Sequence, residues 1–150
     1  MNNDPRNATL KTGAIVKGPG KILTMDSTNN TVDICAVGEV ALGVSAGDSS
    51  RTAAGALQAT AGATVAYYPM GGVLMIQSVN GITYQLGDLV YATNLGLATD
   101  DNSSSAKVIG VFVGTADGTA ATATPALVAN GVGDSEQTDG ATLLLSEGAM

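Results

Sequence analysis

The sequence has no histidine and no tryptophan, and its only cysteine is Cys35. Histidine is the side chain whose ordinary pKa lies nearest neutrality and the commonest metal-binding imidazole. Most catalytic triads and zinc sites lose a member with it. A single cysteine forms no intramolecular disulfide, which excludes the disulfide-rich secreted class. Catalysis through Cys35 would need a base or a positive neighbour to generate thiolate. Its sequence neighbours are Ile34, Ala36 and Asp33, so it reads as a sheet residue in a reducing compartment.

Large rings and charges are scarce as well. Aromatics make up 3% and charged residues 13% of the chain, the latter about half the usual share. Little of the surface is then a charged coat, and part of it is expected to be covered by partners. The basic residues Arg6, Lys11, Lys17, Lys21 and Arg51 balance the acids before residue 52. Beyond it Lys107 stands alone among acids, and the net charge is −7. Nucleic acid is not an expected partner, because binding it rests on clustered Lys and Arg. No window approaches the roughly 18 apolar residues of a membrane helix. The first residues, Met1 to Asn7, hold no apolar leader, so synthesis in the cytoplasm without an export signal is expected.

What is present is small and apolar. Hydrophobic residues reach 45%, mostly Ala, Val and Leu, beside 20 glycines. A positive mean hydropathy and regular apolar runs argue against disorder. The length suits one domain, able to bury roughly 68 to 70 per cent of its unfolded surface. Residues 1–12 are polar and contain Pro5, which reads as an extended arm. From Gly13 to residue 129, short apolar runs alternate with clusters of Gly, Asn, Asp and Ser, the punctuation of strands and turns. Runs fall at Ala14 to Val16, Ile22 to Met25, Thr31 to Val37, Val40 to Val44, Thr64 to Tyr68, Gly72 to Gln77, Asp88 to Ala92, Lys107 to Val113 and Pro125 to Ala129. The expected fold is all-β, a compact barrel or sandwich of short antiparallel strands. Residues 52–59 read as a loop or a short helix. Residues 130–150 form an acidic tail in which Leu143, Leu144 and Leu145 suggest a docking segment.

Residues 22–47 align without gaps on residues 89–114, an offset of 67, with Leu42-Gly43-Val44 matching Ile109-Gly110-Val111. Two related β units packed on each other would produce such a pattern.

Other chemistry is weighed and set aside. Lys107 after Ser103 to Ser105 sits in an ordinary loop. Asp100 and Asp101 are adjacent, so on a strand they face opposite ways, unlike the paired carboxylates of a glycosidase. Asp100, Asp101 and Asn102, or Asp134, Glu136 and Asp139, offer oxygens to calcium without EF-hand spacing. Gly18-Pro19-Gly20-Lys21 lacks the phosphate-loop pattern and reads as a turn. No catalytic residue, metal, cofactor or small-molecule substrate is expected. Neighbouring Tyr67 and Tyr68 must face opposite sides of a strand, one toward the core and one toward solvent or a neighbour.

The order of features, with Gly87-Asp88-Leu89-Val90-Tyr91-Ala92 and then Lys107-Val108-Ile109-Gly110-Val111-Phe112-Val113-Gly114, resembles the cement or decoration proteins of tailed-bacteriophage capsids. The resemblance implies a non-enzymatic β-protein, commonly a homotrimer, that sits on the virion surface. There it holds neighbouring major capsid protein subunits together. On this reading Arg6, Leu10 and Lys11 form a capsid-binding arm that orders on a strand edge of the shell. Tyr67, Tyr68, Met70, Leu143 and Leu144 are candidate subunit contacts. An extracellular or surface β binding module, such as a fibre or adhesin domain, is the alternative.

Overall fold

A computed structural model describes residues 4–71, 73–79, 81–103, 105–115, 122–123 and 142–146. Its described elements are strands: β1 (Arg6–Thr9), β2 (Ile22–Asp26), β3 (Thr31–Ile34), β4 (Ala41–Ser45), β5 (Thr64–Pro69), β6 (Val73–Gln77), β7 (Tyr84–Gln85), β8 (Leu89–Ala92), β9 (Ala98–Thr99), β10 (Val108–Thr115), β11 (Thr122–Ala123) and β12 (Thr142–Ser146). They pair antiparallel into a sheet ordered β1-β5-β4-β2-β3, a second ordered β6-β12-β10-β8-β9, and a small β11-β7 ribbon. The protein is all-β and sandwich-like. Neither sheet closes into a barrel; one parallel bridge joins the far strands of each, Leu10 to Val32 and Ser78 to Ala98.

The two sheets repeat one another. In the first, Ile22 pairs with Val44, Leu23 with Gly43 and, after a bulge, Thr24 with Ala41. In the second, Leu89 pairs with Val111, Val90 with Gly110 and, after a bulge, Tyr91 with Val108. Every partner lies 67 residues beyond its counterpart. The backbone bonds at the strand entry repeat too. Gly20 N–H donates to Ser45 C=O at 2.9 Å and Ser45 N–H to Lys21 C=O at 2.8 Å. Gly87 N–H donates to Phe112 C=O at 3.0 Å and Phe112 N–H to Asp88 C=O at 2.9 Å. A bulge adds one residue to one strand and re-aims the side chains beyond it, so its recurrence at the same place marks the same local fold used twice. The sequence alignment at this offset therefore corresponds to two copies of one five-stranded plan.

Two apolar cores result. The first lies inside the first repeat: Leu10, Val16, Leu23, Val32, Ala63, Val65 and Tyr67. The second fills the second repeat with Ile76, Tyr84, Val90, Ile109 and Phe112, and reaches across to Ile22, Cys35 and Val44 of the first. Alternation along β2 explains the split, since Ile22 and Leu23 face opposite sides. Backbone bonds reinforce the junction, from Ile22 N–H to Gly96 C=O at 2.8 Å and from Gln77 N–H to Gly20 C=O at 2.9 Å.

Several sequence expectations need correction. The arm is not free: Arg6 to Thr9 pair with Tyr67 to Thr64 as an edge strand, and Leu10 is 1% exposed. A lone large apolar residue in a polar stretch is drawn inside because burying it stabilises by about 1.5–3 kcal/mol. Ala14 to Val16 form no strand; Val16 is tied instead to Ser49, whose N–H donates to Val16 C=O at 2.8 Å. Of the two readings of residues 52–59 the loop is the one found, pinched by an Arg51–Leu57 bridge. The leucine segment lies beyond the expected domain boundary at residue 129, yet β12 is an interior strand between β6 and β10. The expected strand Pro125 to Ala129 and the acids Asp134, Glu136 and Asp139 lie outside the described residues.

Candidate binding surfaces

The expected arm residues separate in the structure. Arg6 is exposed on the edge strand β1, opposite Tyr67. Leu10 belongs to the first core. Lys11 turns back on its own chain, its Nζ lying 3.2 Å from Asp33 and 3.9 Å from Asp26. The hydrogen bond to Asp33, then the charges of Asp33 and Asp26, raise its pKa above the ordinary lysine value. The strand addition expected between arm and shell is thus made within the chain, by β1 on β5.

The candidate contact residues divide likewise. Tyr67 is buried in the first core. Tyr68, half-buried, faces a groove of about 180 Å³ formed with Pro19, Gly20, Val44, Leu74 and Met75. Met70 lines a broader groove of about 430 Å³ with Glu39, Val40, Ala41, Lys107, Val108 and Ile109. Ala41 and Val108 are repeat-related, so this groove is walled by the same strand end from each repeat. Leu143 and Leu144 pair with Ile76 and Met75 on one side of β12, and with Thr115 and Gly114 on the other.

Burial, with the nearby Glu39 charge, pushes the Cys35 thiol up to about 11, so it stays protonated at neutral pH. Asp101 and Ser103 lie beside a third depression with Asn94 and Thr99. Ser103 N–H donates to Asp101 Oδ1 at 2.9 Å, and hydrogen bonds from Ser103 hold this carboxyl below its usual value. That is a self-satisfied loop turn. At Gly18-Pro19-Gly20-Lys21 a carboxylate occupies the turn: Gly18 N–H donates to Asp48 Oδ1 at 2.7 Å. Among the described residues, no three His, Cys, Asp or Glu side chains gather to hold a metal ion, and no helix is long and apolar enough to cross a membrane.

Reading the sequence alone misses the exposed apolar residues of the second sheet, Val73, Met75, Leu89 and Val113. The signal that finds them is the repeat, which places Leu89 where the first repeat has Ile22. Compared with protein-family models, curated proteins and solved structures, the chain matches none of them.

Proposed function

We propose that this chain is a structural virion protein that binds the outer surface of a phage capsid, between major capsid protein subunits, and stabilises the shell. The resemblance of its Gly87–Ala92 and Lys107–Gly114 segments to capsid cement proteins supports the reading. So does one structural observation. The described surface offers apolar grooves and few charged residues, equipment for holding other proteins. On this proposal β1 replaces the free arm as the shell-facing element. It is an edge strand, bridged to β3 just past its end at Leu10 and Val32, and along Arg6–Thr9 a shell strand adds backbone hydrogen bonds while Arg6 meets an acidic group. Several copies on one shell then reinforce weak single contacts by effective concentration.

The test is co-sedimentation of the purified full chain with empty capsids assembled without it. Asn7→Pro, which removes an edge N–H, and Arg6→Glu are expected to weaken binding while the far-ultraviolet circular dichroism stays unchanged. A folded wild-type chain that stays in the supernatant overturns the proposal and favours the surface-module alternative. Undiminished binding by both variants overturns the role of β1.

A further inference from the structure

We propose that the groove between the starts of β4 and β10 is a docking site for an extended segment of a partner protein, one with apolar side chains and a carboxylate. The duplication shapes it. Val40 and Lys107 hold the same place in the two repeats, at the offset of 67. Each stands one residue before its strand, and both line the groove of about 430 Å³. Apart from Glu39, the rest of the lining is apolar, with Met70 and the repeat-related Ala41 and Val108. Val40 is 67% exposed, more than any other large apolar residue among the described ones. An apolar cleft with such a residue at its rim loses water on docking, which marks it as an interaction site.

Lys107 sets the charge of the occupant. It is exposed and is the only basic residue beyond Arg51. Lys11 and Arg51 are paired within the chain, whereas Lys107 meets no carboxylate among the described residues. Glu39, the acid of the groove, is committed to its own turn. Its Oε2 accepts the Ala36 N–H at 2.9 Å, and its own N–H donates to Ala36 C=O at 3.2 Å. A cationic lip without an internal partner, beside an apolar lining, is complementary to a carboxylate flanked by apolar side chains. The form of the occupant follows from the exposed lips. A small amphiphile is held by burying most of its surface. With Val40 and Lys107 both in solvent, the groove instead suits a chain that lies across it and is covered on one side. The lining residues are not those of β1, so this site stands independently of the shell reading.

The probes are three fluorescein-labelled peptides with capped ends, in which leucine alternates with glutamate, glutamine or lysine. Fluorescence anisotropy reads their binding to the full chain. Because the net charge is −7, non-specific attraction would favour the lysine peptide, so a preference for glutamate has to come from a local cation. Wild type is expected to bind the glutamate peptide roughly two- to fivefold more tightly than the glutamine peptide, the scale of an exposed ion pair, and added salt should shrink the difference. Lys107→Glu should reverse the order and bind the lysine peptide best, and Val40→Asp should weaken the glutamate peptide. Leu95→Glu, at an exposed apolar position outside the groove, should keep the wild-type order. A folded wild type that binds none of the peptides, or a Lys107→Glu variant that keeps the wild-type order, overturns the proposal. Should that variant fail to fold, the wild-type order decides, and a preference for glutamine or lysine overturns it. Decanoate that displaces the labelled glutamate peptide at lower concentration than the unlabelled peptide does overturns it in favour of a small amphiphile.

Discussion

Gly96 and Ile22 touch backbone to backbone across the two repeats. Ile22 N–H donates to Gly96 C=O at 2.8 Å, and a Cβ placed on Gly96 would lie 2.7 Å from Ile22 O. The position also has φ +70°, a conformation L side chains rarely adopt. Gly96→Ala is therefore expected to destabilise by about 2–4 kcal/mol, overpacking added to backbone strain. Gly81 has φ +81° but nothing near its hypothetical Cβ, so Gly81→Ala should cost about 1 kcal/mol. Urea midpoints at constant slope measure both; equal losses would refute the contact argument.

The second core rests on Phe112, fully buried with its ring 5.7 Å from that of Tyr84. Phe112→Ala should cost about 3–5 kcal/mol through lost contacts and a cavity. Tyr84→Phe removes only the hydroxyl, 2.7 Å from Ser78 Oγ. Ser78 keeps the C=O groups of Val79 and Ala98 as acceptors. That loss should be about 1 kcal/mol, read by the same urea titration.

Acid sensitivity should trace in part to Asp48. Burial pulls its carboxyl upward, but the Gly18 N–H, the Arg51 guanidinium and the Lys17 charge outweigh that and hold it below the ordinary value. A depressed folded pKa stabilises fully above the unfolded value of about 3.9. The stabilisation is lost as pH falls through the lower folded value. Asp48→Ala is expected to be less stable by about 1 kcal/mol at neutral pH, the ion pair being partly solvent-screened. The gap from wild type should close as pH falls through that window. Thermal melts across an acid pH series check the convergence.

Cys35 should be chemically silent in the native state. Its side chain is fully buried and burial keeps the thiol protonated, whereas thiol reagents attack thiolate. Labelling with an aromatic disulfide is expected to proceed only as the protein unfolds, so its dependence on urea should track the unfolding curve. Fast labelling in native buffer would contradict the packing of Ile22, Cys35 and Val44.

Much of the fold was legible in short-range pattern. Alternation in Thr31 to Ala36 and the Gly-, Asn- and Asp-rich breaks marked strands and turns, because both depend on neighbours in sequence. The shared pattern of residues 22–47 and 89–114 anticipated the duplicated pairing register. The binding surfaces were less legible. Lys11 looked available for a partner until Asp33 and Asp26 were brought beside it, and Leu10 looked like part of an arm until β1 paired with β5.

The sequence by itself determined an all-β chain of small side chains, without histidine, carrying one β plan twice. Only the tertiary structure decided that β1 and β12, the outlying segments, are strands of the two sheets, and that Ile22 is buried where Leu89 is open. The physical reason is that periodicity records which residues share a face. What covers that face depends on pairings between residues far apart in the chain, which no local pattern encodes.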